Sequence, residues 1–149
     1  MGEQKRKWMG SIVVICSYKP KPGRTDALLE ILKDHVPTLR MLGLVTGYPR
    51  ALMTSENGTV LEIFEWESEQ ASRSAHDNPD VKKIWDAIGE VADFVPLSSL
   101  GEVGKPFAHF EQVPNNRTNR PCHFEIHADD PARCQKFYES VFDWEFTSF

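Results

Sequence analysis

Cysteine is scarce: Cys16, Cys122 and Cys134 are the only three in 149 residues. An odd number at irregular spacing suits neither a disulfide framework nor a zinc site, so structural thiols are expected. Long apolar runs are missing too. Ile12 to Cys16 falls far short of the roughly 20 residues of a membrane helix, and no small-residue cleavage site follows it. A cytoplasmic location is therefore expected. Net positive charge is also absent, since 17 Lys and Arg stand against 22 Asp and Glu to give −5. Such a chain lacks the electrostatic basis for holding a phosphate backbone, which argues against nucleic acid as a partner. The one basic cluster, Lys5-Arg6-Lys7, reads as part of a solvated leader over residues 1–10. There is no Gly-rich phosphate loop, Cys-x-x-Cys, His-Glu-x-x-His or Gly-x-Ser-x-Gly. Nucleotide, zinc and serine-hydrolase readings thus have no motif behind them, and no cofactor or metal is expected.

What is present is ordinary globular material, 40% hydrophobic and 26% charged, in a length of 149 residues that fits one ordinary domain or one small domain plus an appendage. Ile12 to Tyr18 is a β-branched run ended by Lys19-Pro-Lys-Pro-Gly23, a strand covered on both faces. Thr25 can cap a helix with Leu28, Leu32, Val36 and Leu39 on one stripe, which Pro37 should kink or break near His35-Val36 and Gly43 should stop. Arg50 to Thr54 and Thr59 to Trp66 read as strands paired through an Asn57-Gly58 hairpin. Ser68 can cap a helix to about His76, and Asn78-Pro79-Asp80 can start another with Val81, Ile84, Trp85, Ile88, Val91 and Ala92 on one face. Phe94-Val-Pro-Leu97 would be a last edge strand. The order is β-α-β-β-α-β, a split βαβ arrangement of the α+β class.

In the hairpin's second strand, Val60, Glu62, Phe64 and Trp66 point one way, Leu61, Ile63 and Glu65 the other. Both faces carry apolar bulk, and in so small a domain a second copy is the economical cover for the face that helices leave open. A homodimer is the expectation. Beyond Leu100, Phe107 to Val113 offers one more strand, and 114–121 is turn-rich. A strand-helix-strand pattern then closes the chain, with Cys134, Phe137, Tyr138 and Val141 on one helix face. Such a unit cannot bury its own apolar face, so it is expected to dock on another surface, pair with a copy or fray.

Three stretches resemble the antibiotic-biosynthesis monooxygenase superfamily: the first strand with Lys19-Pro-Lys-Pro-Gly23, the strand ending Glu62-Ile-Phe-Glu-Trp-Glu-Ser68, and Ala71 through His76 to Asn78-Pro79. The likeness covers about residues 10 to 100. It implies a ferredoxin-like dimeric α/β barrel whose sheets pack face to face, with a cavity for a small aromatic, quinol-type molecule. The final 28 residues resemble the opening strand, helix and second strand of the vicinal oxygen chelate, or glyoxalase and bleomycin-resistance, group. There His123 stands where metal-dependent members have their first ligand, and Asp143 replaces the usual glycine. The strands that would carry the remaining ligands do not follow. The expected organisation is a leader (1–10), a monooxygenase-like domain (11–104), a strand and linker (105–120) and an incomplete chelate-like β-α-β fragment (121–149).

Chemistry on a phenol needs a base, polar groups for the resulting anion and a dry aromatic wall. His76 is the first candidate base, because the resemblance places a histidine at this helix end and imidazole titrates near neutrality. Its bland alternative is a local cap. His35 beside Pro37 is the second candidate, against a helix-end histidine that meets the dipole. Glu62 shares a face with Phe64 and Trp66, so once buried it must find a partner or take up a proton; an exposed or salt-bridged acid is the alternative. Trp66, Phe64 and Trp85 are candidate substrate walls, or core packing. Heme degradation is not implied, since the first strand lacks the Asn such relatives use and Trp85 stands where their His would fall. Three functions remain in view. They are a cofactor-independent monooxygenase-like cavity protein, a non-catalytic ligand-binding or scaffolding dimer, and a truncated form of a two-module protein with metal chemistry in the missing half.

Overall fold

The computed structural model describes residues 10–114, together with 130, 132, 133, 136 and 137. The β-branched opening run forms β1 (Ile12–Pro20). After the Pro-Gly turn, α1 (Thr25–Met41) buries Leu28, Leu32, Val36 and Leu39, and His35 with them. Two details of this helix differ from expectation. Arg24 rather than Thr25 holds the N-cap position, and it makes no side-chain cap bond. The helix is also unbroken at Pro37, because one missing backbone donor weighs little against Val36 and Leu39 anchored in the core on either side of it. Its end is a Schellman closure. Gly43 N–H donates to the Arg40 carbonyl and Leu44 N–H to the Leu39 carbonyl, each at 3.0 Å, with Gly43 at φ +68°.

β2 (Ala51–Thr54) and β3 (Val60–Trp66) pair antiparallel with Leu52 opposite Glu62. The two turn residues divide the work between them: Gly58 takes φ +82°, and Asn57 Oδ1 accepts the Thr59 amide at 3.0 Å. Ser68 caps α2 (Glu69–Ala75) by accepting from Ala71 N–H at 3.1 Å. Asn78 caps α3 (Pro79–Val91) by accepting from the amides of Asp80 and Val81. That helix passes without a loop into β4 (Ala92–Phe94), so the strand begins two residues before the expected Phe94. Pro96 has no amide to pair, and the last bond to β1 on this side is Val95 N–H to Ser17 C=O at 3.0 Å. Two 3-10 turns (Leu97–Ser99 and Gly101–Gly104) follow, then β5 (Glu111–Gln112). Glu102 pins the second turn to the hairpin by accepting the Glu56 amide at 2.7 Å, which holds its carboxyl below the usual range.

The five strands form one antiparallel sheet in the order β4-β1-β3-β2-β5, an α+β architecture. One sheet face carries the helices. Tyr18, Leu52 and Val60 pack with Leu28, Leu32 and Ile88, and Phe64 and Trp66 pack with Val36, Leu39, Ala75 and Val81. On the other face Val13 and Ile15 are 58% and 44% exposed. By chain packing residues 1–116 form one unit and 117–149 a second. Within the second, Asp130 accepts the Arg133 amide at 3.1 Å and positions 132, 133, 136 and 137 are helical. The expected leader with its basic cluster, the 115–121 linker, the strands at His123 and Trp144, and Cys122, Cys134, Tyr138 and Val141 lie outside the described residues. Among the described residues no helix is long and apolar enough to cross a membrane.

Candidate functional site

The site is built around a carboxylate. β3 alternation turns Glu62 toward the helices, where it has no solvent exposure at all. An acid there is tolerable only if donors surround it. Three elements supply them. Tyr18 on β1 donates its phenol to Oε2 at 3.1 Å, and His35 on α1 places Nδ1 2.7 Å from the same oxygen. Arg50, just ahead of β2, donates from Nη1 to Oε1 at 3.1 Å and also to the Leu32 carbonyl.

From His35 the line of bonds continues outward. Trp85 on α3 donates its indole Nε1–H to His35 Nε2 at 3.0 Å. An indole N–H can only donate, so Nε2 is the unprotonated nitrogen and the proton sits on Nδ1, facing Glu62. The ring is a neutral imidazole of defined tautomer, 2% exposed. Carboxylate, oriented imidazole and an unprotonated ring nitrogen turned away from the acid form the arrangement of a histidine base and its orienting acid. Here an indole occupies the lone pair that would take a substrate proton.

The aromatic candidates close around this line. Phe64 meets His35 edge-on at 5.6 Å between ring centroids, and Trp66 meets Phe64 in the same way at 5.1 Å. His76 is the C-cap residue of α2, exposed, with its ring 4.9 Å from Trp85 in an edge contact. The structure thus brings together His35, Glu62, Trp85, Phe64 and Trp66, and attaches His76 to them through Trp85. Tyr18 and Arg50 belong to the site although sequence reasoning passed over them. A signal existed for Tyr18: it shares a strand face with Cys16, and a tyrosine on a core face needs a partner for its hydroxyl. Arg50 carried none, since its role depends on long-range register.

Burial sets the protonation of the neighbours. Cys16, opposite Glu62 in the β1–β3 register, has its thiol pushed up to about 11, chiefly by burial and further by the Glu62 charge. The same two causes push the Tyr18 phenol strongly upward. Both groups therefore stay protonated at neutral pH, Tyr18 as a donor to the carboxylate. Glu62 also communicates with the surface. A cleft of about 260 Å³ is lined by Asp26, Leu29, Lys33, Leu52 and Val113, with Arg50 in its wall. One guanidinium thus touches both cleft and buried acid. Among the described residues no group of three or more His, Cys, Asp or Glu side chains could hold a metal ion. Compared with known proteins, the chain matches no protein-family model and no curated protein.

Proposed function

We propose that residues 10–114 form a homodimeric module of the antibiotic-biosynthesis monooxygenase kind, binding a small phenol- or quinol-type aromatic, with His35 as the base that draws its proton. The observation that carries this reading is the Glu62–His35 pair at 2.7 Å, with the imidazole fixed so that Nε2 is the accepting nitrogen. In this reading Glu62 orients His35 and stabilises the imidazolium that forms. Tyr18 and Arg50 hold the Glu62 charge in place. Phe64, Trp66 and Trp85 supply the aromatic wall, and His76 flanks Trp85. The strand order β4-β1-β3-β2 is the one a ferredoxin-like split βαβ chain produces, which supports the resemblance. Val13 and Ile15, exposed in mid-strand on the helix-free face, support a second copy as cover. The cytoplasm is the compartment that fits this reading.

The test is a panel of phenols and quinols followed by oxygen consumption and product absorbance. His35→Ala and Glu62→Gln are expected to lower turnover by at least about 100-fold, the scale of a general base, while leaving the dimer intact. Unchanged rates would remove both residues from the chemistry. A second reading, a non-catalytic ligand-binding or scaffolding dimer, is favoured by one feature: the Trp85 indole already occupies the His35 acceptor. Binding of panel members without turnover would favour it.

A further inference from the structure

The bond from Trp85 to His35 differs from the others in the network. Tyr18, His35 and Arg50 satisfy an acid that has no access to water, so none can leave without stranding a buried charge. Trp85 instead satisfies a neutral nitrogen, and it is only half-buried. It also meets the exposed His76 ring in an edge contact at the junction of α2 and α3. Withdrawal of the indole would uncover one acceptor and the margin of both core clusters, against which Trp85 packs, and leave every contact of Glu62 in place. What Trp85 presents to His35, moreover, is a flat aromatic ring with a polarised N–H donor. A phenol or quinol would present the same shape with an O–H.

We propose that Trp85 is a displaceable internal cap on His35 Nε2, and that a flat aromatic ligand bearing a hydroxyl donor binds by taking the place of its indole. The inference rests on the ligand reading above and deepens it by naming the atom the ligand meets and the group it must displace. The exchange replaces one N–H···N bond by an O–H···N bond, so the network stays satisfied before and after. Because the competent state is the uncapped one, apparent affinity is reduced by the fraction of molecules in which the cap is off. Removing the donor while keeping an aromatic ring should lift that reduction. His76, in edge contact with Trp85, is a positioning residue for the displaced indole.

The experiment uses the full chain, wild type and Trp85→Phe, with 1,4-hydroquinone as probe and 1,4-dimethoxybenzene as a donor-free control of similar shape. Binding is followed by calorimetry and by 15N NMR of the indole N–H and histidine ring nitrogens. In the free wild-type protein His35 Nε2 should show the shift of an unprotonated nitrogen and Nδ1 that of a protonated one; the reverse would overturn the proposal even if the variant failed to fold. Hydroquinone should move the Trp85 indole N–H resonance, bind Trp85→Phe about tenfold more tightly than wild type, and outcompete the dimethoxy control in both. Hydroquinone binding with the Trp85 resonance unmoved, or equal or weaker binding to Trp85→Phe, would sink the cap and spare the ligand site. Binding of neither compound to either protein would sink both.

Discussion

Glu62 has three donors around it and no solvent exposure, so the cost of removing it is set by what it would leave behind. Glu62→Ala would strand the Tyr18 hydroxyl and the His35 N–H in the core and take from Arg50 its carboxylate partner, and is expected to cost about 3–5 kcal/mol in urea unfolding, like other broken buried charge pairs. The thiol and phenol beside it predict a second behaviour. Burial pushes the Cys16 thiol up to about 11 in the folded chain and raises the Tyr18 phenol as well, against roughly 8.5 and 10 when unfolded. The folded state therefore binds more protons at alkaline pH. The contribution of these two groups to stability should be constant below about pH 8.5 and fall as pH rises toward 11, with Cys16→Ala and Tyr18→Phe flattening the decline. Unfolding free energies measured across that range check it. At this scale the sequence was partly legible. Period-2 alternation put Glu62 on a face with Phe64 and Trp66 and so demanded a partner. Its partners were illegible, because the register of β1 against β3 and the α1 turn that faces them are settled by the whole core.

Caps and turns were the readable part of the elements, since Ser68, Asn78, Gly43 and Asn57-Gly58 act on backbone groups only a few residues away. Gly43 sits at φ +68°, a left-handed conformation that costs other residues about 1–2 kcal/mol. Gly43→Ala should lower the thermal midpoint correspondingly, although open space surrounds the position. What local reasoning misplaced depended on distant contacts. The N-cap of α1 moved to Arg24, Pro37 did not break the helix, and β4 began at Ala92. In the last case the strand's start is set by pairing with Pro20 across the sheet, which no property of residues 92–97 encodes. His35 joined the buried stripe of α1 for the same reason: it faces Glu62, a partner supplied from another element.

At the scale of the whole molecule, two-faced apolarity in β3 foretold that helices alone would not cover the sheet, but it did not say where cover would be lacking. The first 3-10 turn packs beside β1 and Ser17 and Leu61 are buried on that face, whereas Val13 and Ile15 remain open. If a second copy covers them, Ile15→Lys should turn a dimer into a folded monomer at micromolar concentration, with unchanged circular dichroism, by sedimentation. A wild-type monomer would remove the dimer from the proposal. The pairing of β5 with β2 was only half readable, because a two-residue strand barely registers in sequence.

The exit of α3 carries one more consequence. Its last carbonyls are received by a single residue beyond β1: Lys21 N–H binds Val91 C=O at 2.9 Å, and Lys21 Nζ binds Gly89 C=O and Glu90 C=O at 3.0 and 3.1 Å. With no loop between α3 and β4, a helix end and two adjacent strand ends are tied by one lysine into a single knot. Such a knot should open all at once or not at all. Amide protons at Val91, Lys19 and Asp93, the last two a pair in the β1–β4 ladder, should then exchange with deuterium at matching rates, and Lys21→Met should speed all three together.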